Sequence, residues 1–152
     1  MSGEKGFYEE IAKLTPGFLR AIAMRQENII ASGNIAISHI MVVDVLSERG
    51  DCTMGELAKE LNFTMSAATA IVDRMIEHRL VKRERDKEDR RIVRVSLVSG
   101  GKDLGKRIHE FRKRVSEDLF SVLSSSEKKA YLGMLKKVYS NITEKKNEKH
   151  QK

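Results

Sequence analysis

The sequence has little of what disulfides, aromatic cofactor sites and membrane spans are built from. Its 152 residues include one cysteine, one proline, no tryptophan and only 5% aromatic residues. The lone Cys52 excludes an intrachain disulfide and favours a reducing compartment, which predicts a cytoplasmic protein. There is no run of about eighteen apolar residues, so no membrane span is expected. The polar, acidic N-terminus predicts no signal peptide.

Signatures of catalysis are missing as well. The sequence has no G-x-S-x-G motif, no glycine-rich phosphate loop and no paired catalytic carboxylates. His39 and His109 alone are too few for zinc, which takes three or four protein ligands. Asp51, next to Cys52, is expected to raise the thiol pKa and so to disfavour a redox sensor. We therefore predict a protein that is not an enzyme and that holds no metal and no cofactor.

Basic residues are in excess. Lysine and arginine number 29 against 22 aspartate and glutamate, which gives a net charge of +7. Apart from the C-terminal tail, the excess is concentrated between Arg79 and Arg114. A solvated basic surface would explain such a composition, but so would affinity for a polyanion, because each neutralised phosphate releases condensed counterions.

The stretch from Thr53 to Leu97 has the order of a winged helix-turn-helix. Thr53 and Glu56 have the spacing of a capping box for a short helix, and Asn62-Phe63 makes a turn. Thr64 is expected to cap a second amphipathic helix. The segments VKRERD and IVRVSLV then alternate in polarity and predict a hairpin with the basic tip KEDRR.

Helical patterns flank this module on both sides. Residues 4–14 and a run to about Ala31 are predicted as helices, broken or kinked at Thr15-Pro16. The helix from Ile35 to Arg49 is apolar almost all round, which predicts burial. Ser99-Gly100-Gly101 begins a long helix, and Ser124 with Glu127 forms the capping box of the last one. The fold class is thus mainly α with a small β-hairpin wing, and the predicted domains are residues 1–33, 34–98 and 99–152.

The flanking helices carry more apolar surface than a module of about sixty residues needs for its own core. Packing against the same helices of a second subunit, as a C2 homodimer, is the simplest use. A monomer with these helices folded back onto the module is the alternative. The predicted dimer contacts are Phe7, Ile11, Leu14, Val115, Leu119, Val122, Leu135, Val138 and Ile142.

The DNA contacts are expected on the solvent side of the second module helix and at the hairpin tip. Small and hydroxyl residues let a helix approach base edges, and arginine suits a narrow minor groove. The helix on its own also fits an ordinary amphipathic surface helix. Asp89 is unusual on a DNA-facing tip, and we expect it to hold Arg91 extended through a charge-assisted hydrogen bond. The predicted contacts are Thr64, Met65, Ser66, Ala67, Thr69, Ala70, Arg74, Lys87, Asp89, Arg90 and Arg91.

The order of elements resembles the MarR (multiple antibiotic resistance regulator) family over nearly the whole chain. The segments DRRIVRVSL, LVKRERDKEDRR and GELAKEL are similar to the family's typical spelling, the first to its wing signature. The resemblance implies a dimeric repressor with residues 64–74 as the recognition helix and Asp89 and Arg91 as the wing pair. Three positions depart from the pattern. Val98 replaces a threonine, so the cap of the long helix is expected at Ser99. Arg79 replaces a glycine, and Met65 a polar residue.

The resemblance also implies a small, often aromatic, effector between the module and the dimer helices. Phe18, Ile22, His39, Met41 and Phe111 are the candidates for that cleft, although each also suits a plain core. We predict a sequence-specific regulator of a pseudo-palindromic double-stranded DNA operator, acting as a ligand-released homodimeric repressor. The alternatives are a sequence-nonspecific architectural DNA-binding protein and a protein-interaction winged helix.

Overall fold

The fold is described by a computed structural model covering residues 2–31, 35–86 and 88–149, with side chains for residues 6–24, 35–86 and 88–144. The helices are α1 (Ser2–Ala31), α2 (Ile37–Arg49), α3 (Met54–Leu61), α4 (Met65–Glu77), α5 (Ser99–Leu119) and α6 (Ser125–Lys149). The strands are β1 (Asp51–Thr53), β2 (Val81–Arg85) and β3 (Val93–Leu97). The chain forms two compact units, residues 1–111 and 112–152. The predicted fold class, mainly α with a small β wing, is confirmed.

Two side-chain caps set the boundaries of α3 and α4. The hydroxyl of Thr53 accepts the backbone N–H of Glu56 at 3.1 Å, and the Glu56 carboxylate accepts the N–H of Thr53 at 2.7 Å. These hydrogen bonds lower the pKa of Glu56. At α4, the hydroxyl of Thr64 accepts the N–H of Ala67 at 3.2 Å. Both predicted caps are confirmed, and Asn62 closes α3 in the left-handed conformation with φ 55°.

The first unit has one apolar core, to which four helices and the sheet contribute. Its buried members are Val42, Val43, Leu46, Cys52, Leu57, Val72, Met75, Val81, Val95, Leu104 and Ile108. The expectation that α2 is buried all round is wrong, because Ile37 is 63% and Met41 37% exposed. Only one face of α2 packs between the sheet and the other helices. Burial also raises the pKa of the Cys52 thiol, with Asp51 as a smaller contributor in the same direction.

The wing belongs to a three-stranded antiparallel sheet in the order β1-β3-β2. The predicted hairpin is present, with Val81 opposite Leu97 and Arg85 opposite Val93. The third strand, β1, was not predicted; it pairs Cys52 with Val95. A three-residue strand is too short to show an alternating pattern, so its pairing depends on partners more than forty residues away along the chain.

The helix α1 continues through Pro16, so the predicted break at Thr15-Pro16 is wrong. Proline lacks the N–H that would bond the carbonyl four residues earlier, and its ring crowds that carbonyl. One turn before Thr15, the carbonyl of Ile11 accepts a hydrogen bond from the Thr15 hydroxyl at 2.6 Å. The predicted end of this helix at Ser32-Gly33-Asn34 lies outside the described residues.

The beginning of α5 lies against the turn that follows α4. Arg79 adopts φ 56°, the left-handed conformation that the sequence put in question. The N–H of Val98 donates to the carbonyl of Leu80 at 3.1 Å, and the Val98 carbonyl accepts the N–H of Lys102 at 3.0 Å. Val98 therefore occupies the position before the helix, and the predicted cap at Ser99 is wrong because Ser99 is already its first residue.

The second unit consists of the C-terminal end of α5 and α6. The predicted capping box is present, since Ser124 and Glu127 bond reciprocally and the pKa of Glu127 is lowered as a result. The rings of Phe120 and Tyr131 pack with centroids 4.9 Å apart. Val122, one of the predicted dimer contacts, lies beyond the end of α5 and is 84% exposed. Among the described helices, none has the length and apolar character that a bilayer span requires.

Substitution of Gly101 by alanine should destabilise the protein by about 1–3 kcal/mol, because the new methyl group would overlap the carbonyl oxygen of Leu80. Gly55→Ala is the matched control, since a methyl group there meets only the Thr53 hydroxyl oxygen at 4.0 Å. That variant should leave stability unchanged or raise it by up to about 1 kcal/mol. Denaturant unfolding followed by circular dichroism measures both. Equal stability of the two variants would contradict the close approach of α5.

Candidate nucleic-acid interface

The exposed face of α4 carries most of the helix residues predicted to contact DNA. Ala68, Val72 and Met75 are buried and fix which side of the helix faces the core. Met65, at the N-terminal end of the helix, is 54% exposed, although it is a large apolar residue. The other predicted helix residues are Thr64, Ser66, Thr69, Ala70 and Arg74, which are exposed, and Ala67, which is half-buried.

The first turn of α4 has the features of an anion-binding helix end. Thr64 caps the N–H of Ala67, and its hydroxyl lies 3.0 Å from that of Ser66. The backbone N–H groups at the start of a helix have no carbonyl partner within the helix. Together with the helix dipole they favour a phosphate oxygen at this end. The geometry therefore suits a helix that points its N-terminal end at a nucleic-acid backbone.

Arg83 of β2 joins the wing to α4. Its guanidinium donates to the Asp73 carboxylate at 2.5 Å and to the backbone carbonyl of Thr69 at 3.3 Å. Asp73 is half exposed and carries this ion pair. No local sequence pattern indicates the contact, because the partners lie ten and fourteen residues apart and on different elements. The bridge fixes the exposed face of α4 beside the hairpin.

The base of the wing is organised by Asp86, which the sequence analysis did not single out. One carboxylate oxygen accepts the backbone N–H groups of Glu88 and Asp89 at 2.8 and 3.2 Å. The other accepts Nε of Arg94 at 2.5 Å, and Arg94 also donates to Asp51 at 3.3 Å. A single carboxylate thus ties the tip to β3, and through Arg94 to β1.

The hydrogen bond from Arg94, followed by those from the backbone, lowers the pKa of Asp86 from 3.8 to about 2. A lowered carboxyl pKa means that the ionised form is favoured in the folded protein. Its contribution to stability is present above the unfolded pKa and is lost only as the pH falls through about 2. The Asp86 carboxylate is therefore ionised throughout the neutral range.

Asp89 shapes the turn at the tip of the wing. Its carboxylate accepts the backbone N–H of Arg91 at 2.9 Å, and its carbonyl accepts the N–H of Ile92 at 3.0 Å. The expected hydrogen bond between the Arg91 guanidinium and the Asp89 carboxylate is not found among the described residues. The carboxylate accepts the backbone N–H of Arg91 instead. Arg90 and Arg91 are both exposed. Lys87, also predicted here, lies outside the described residues.

The residues proposed for an effector cleft have unequal surroundings. His39 is buried, its Nδ1 atom has no hydrogen-bond partner, and its ring centroid lies 6.1 Å from that of His78 at the end of α4. Burial, then His78 and Arg74, lower the pKa of His39. Phe18 and Met41 are exposed, and Ile22 and Phe111 are half-buried. None of the five lines the groove of about 870 Å³ beside Leu46, Ser47 and Lys82.

His39 and His109 were the two histidines considered, and found too few, for a zinc site. Within the described residues, no group of three or more histidine, cysteine, aspartate or glutamate side chains is arranged to hold a metal ion.

A capped recognition helix, a turn, and a basic hairpin define a winged helix-turn-helix regulator that binds DNA. The sequence model of the MarR family matches residues 34–92. Over this segment the chain is similar to the MarR family of transcriptional regulators.

Individual curated sequences similar to this chain are of the same class of protein. YsmB of Bacillus subtilis (strain 168), an uncharacterised HTH-type transcriptional regulator, is 34% identical over 82 residues, which are 54% of this chain and 56% of YsmB. The curated relatives are matched over 47% to 70% of their own length.

Solved structures share the fold over a longer part of the chain. A MarR family protein from Bacillus stearothermophilus superposes with a TM-score of 0.84 at 27% identity, over 91% of this chain and 97% of that one. Streptococcus pneumoniae FabT, solved in complex with DNA, superposes with a TM-score of 0.76 at 24% identity, over 90% and 98% of the two chains. The fold therefore extends beyond the segment that the family model matches.

Loss of the Arg83 bridge should weaken DNA binding more than it weakens folding. In Arg83→Met, α4 loses its anchor and the unpaired Asp73 carboxylate repels phosphate, so we expect affinity to fall by about 1–2 kcal/mol. The free energy of unfolding should change by about 1 kcal/mol or less, because the pair is partly exposed. Fluorescence anisotropy with a labelled duplex and denaturant titration measure the two effects.

Lys82→Met, which removes the same charge from the neighbouring position of β2, is the control for Arg83→Met. Adding Asp73→Asn to Arg83→Met should restore part of the affinity. If Lys82→Met and Arg83→Met weaken binding equally, net charge alone matters and the bridge has no positioning role.

Proposed function

We propose that the protein is a sequence-specific repressor that binds a pseudo-palindromic operator as a homodimer and is released by a small aromatic ligand. The observation that carries the DNA-binding part is the Arg83 bridge, which places the exposed face of α4 next to the basic wing. We expect α4 to enter the major groove and Arg90 and Arg91 to reach the adjacent minor groove. FabT, which shares the fold, has been solved in complex with DNA.

The dimer proposal depends on apolar faces at both ends of the chain. Phe7 is 61%, Leu14 64% and Ile11 47% exposed on α1, and Leu135, Val138 and Ile142 are 49%, 56% and 59% exposed on α6. Such surfaces are costly in water and mark sites of association. Val115 and Leu119 of α5 are half-buried. A two-fold dimer would place two recognition helices about 34 Å apart, one turn of DNA.

The ligand proposal depends on His39. A buried imidazole nitrogen without a hydrogen-bond partner is costly, and a polar group of a ligand would supply one. Phe18, Ile22, Met41 and Phe111 would offer apolar contacts to an aromatic ring. Binding would release DNA by favouring a different spacing of the two recognition helices. A regulator of this kind acts in the cytoplasm, where its operator is.

Arg91→Ala should weaken operator binding by about 1–3 kcal/mol, because it removes a wing contact to the minor groove. Arg107→Ala, the loss of an equally exposed arginine on α5, is the control and should change affinity little. Mobility-shift titration at fixed salt measures both. The target duplex is the DNA upstream of the protein's own gene, compared with random duplex of equal length.

A specificity ratio near one would favour a sequence-nonspecific architectural protein instead. No binding at low salt would favour a protein-interaction winged helix. Unchanged binding by Arg91→Ala, with specificity intact, would remove the wing from the mechanism.

Leu135→Glu should convert the protein to a folded monomer, because it puts a charge into the proposed interface while the side chain is already half exposed within one chain. Lys136→Glu, at the neighbouring exposed position, controls for the added negative charge. Multi-angle light scattering gives the mass, and circular dichroism confirms the helical content. A Leu135→Glu protein that remains dimeric would exclude this face of α6 from the interface.

A further inference from the structure

The exposed N-terminal half of α4 lacks the side chains that usually read bases by hydrogen bonds. Residues 65–73 are MSAATAIVD and include no arginine, lysine, asparagine or glutamine. Bidentate pairing with guanine or adenine in the major groove needs one of those residues. Arg74 is the next such side chain, about 13 Å along the axis from Met65 at 1.5 Å per residue.

Of the three polar side chains in this segment, Ser66 and Asp73 have partners within the protein, which leaves the hydroxyl of Thr69. The Asp73 carboxylate is bound by Arg83, so its capacity to accept from a cytosine or adenine amino group is reduced. The hydroxyls of Thr64 and Ser66 lie 3.0 Å apart, and that of Thr64 also caps the N–H of Ala67. Hydrogen-bonded readout by the first two turns is therefore weak.

What this part of α4 does present is apolar. Met65, the first residue of the helix, is 54% exposed, and Thr69 and Ala70 are exposed as well. The flexible thioether chain of methionine adapts to an irregular apolar surface. In the major groove the apolar feature that distinguishes one base pair from the others is the C5 methyl group of thymine.

We infer that α4 reads its half-site chiefly through thymine methyl groups, with Met65 as the main reading residue. The inference rests on the proposed function, because it requires α4 to lie in the major groove. It assigns the operator a chemical character: thymines lie under the N-terminal turn of α4, and guanine is not recognised there by a bidentate contact. Affinity then comes from the wing and the phosphates, and sequence preference from methyl contacts.

Deoxyuridine tests this inference, since it differs from thymidine only by the C5 methyl group. The probe is the tightest-binding duplex from the protein's own upstream region or from a randomised pool, with thymines replaced one at a time. For full-length wild type, each contacted methyl should contribute about fourfold to affinity, corresponding to about 0.8 kcal/mol. Uridine outside the protected half-sites should have no effect.

The Met65→Ala variant completes a double-mutant cycle with the uridine duplex. It should bind the thymine duplex about as weakly as wild type binds the uridine duplex, and should be insensitive to the uridine replacement. Met65→Leu should keep most of the sensitivity, and Arg91→Ala should weaken binding to both duplexes by the same factor.

An unchanged affinity of wild type for all uridine duplexes, or an equal uridine effect in wild type and Met65→Ala, would overturn the inference while leaving specific DNA binding intact. Failure of wild type to prefer any duplex over random DNA would overturn the proposed function itself, and the inference with it.

Discussion

The geometry of the DNA-binding face depends on the guanidinium of Arg83. This one group holds the carboxylate of Asp73 and the carbonyl of Thr69 on α4 while its backbone is part of β2. It links α4 and the wing on the exposed surface, in addition to the turn at Arg79 and Leu80 and to the packing of Met75 and Val81 in the shared core. The bridge therefore restricts the position of the exposed face of α4 relative to the hairpin. A rigid pair of elements loses less conformational entropy on binding than two independent ones.

A second constraint lies at the other end of α4. Gly100 and Gly101 let the start of α5 approach the carbonyls of Arg79 and Leu80, where a methyl group on Gly100 would lie 2.6 Å from the Arg79 oxygen. Because this contact leaves no free space between the backbones, a displacement of the start of α5 must shift the end of the recognition helix or break the contact. His39 and His78 lie near the same end. A ligand that moves α5 or α2 therefore needs only a small displacement to affect α4.

The features predictable from the sequence are those whose cause is local. The capping boxes at Thr53 and Ser124, the Thr64 cap and the β2-β3 hairpin each follow from residues within a few positions of one another. The exposed face of α4 follows from the spacing of Ala68, Val72 and Met75. The strand β1, the Asp86 network and the Arg83 bridge were missed because their partners are distant in sequence. Asp89 shows the intermediate case, in which the residue was identified and its hydrogen-bond partner was not.

The charges of the interface have two separate tasks. Asp51, Asp86 and Arg94 pair with one another in shaping the wing, so the charge of Arg94 is already offset within the protein. Arg90 and Arg91 do not take part in these ion pairs and are exposed at the tip, so they are the proposed contacts to phosphate or to a minor groove. Contacts of that kind give affinity that falls steeply with salt and carries little sequence information. Methyl contacts are uncharged and depend little on salt. If α4 selects the operator through such contacts while the wing binds phosphate in both the specific and the nonspecific complex, rising ionic strength should lower both affinities by a similar factor and leave their ratio largely unchanged.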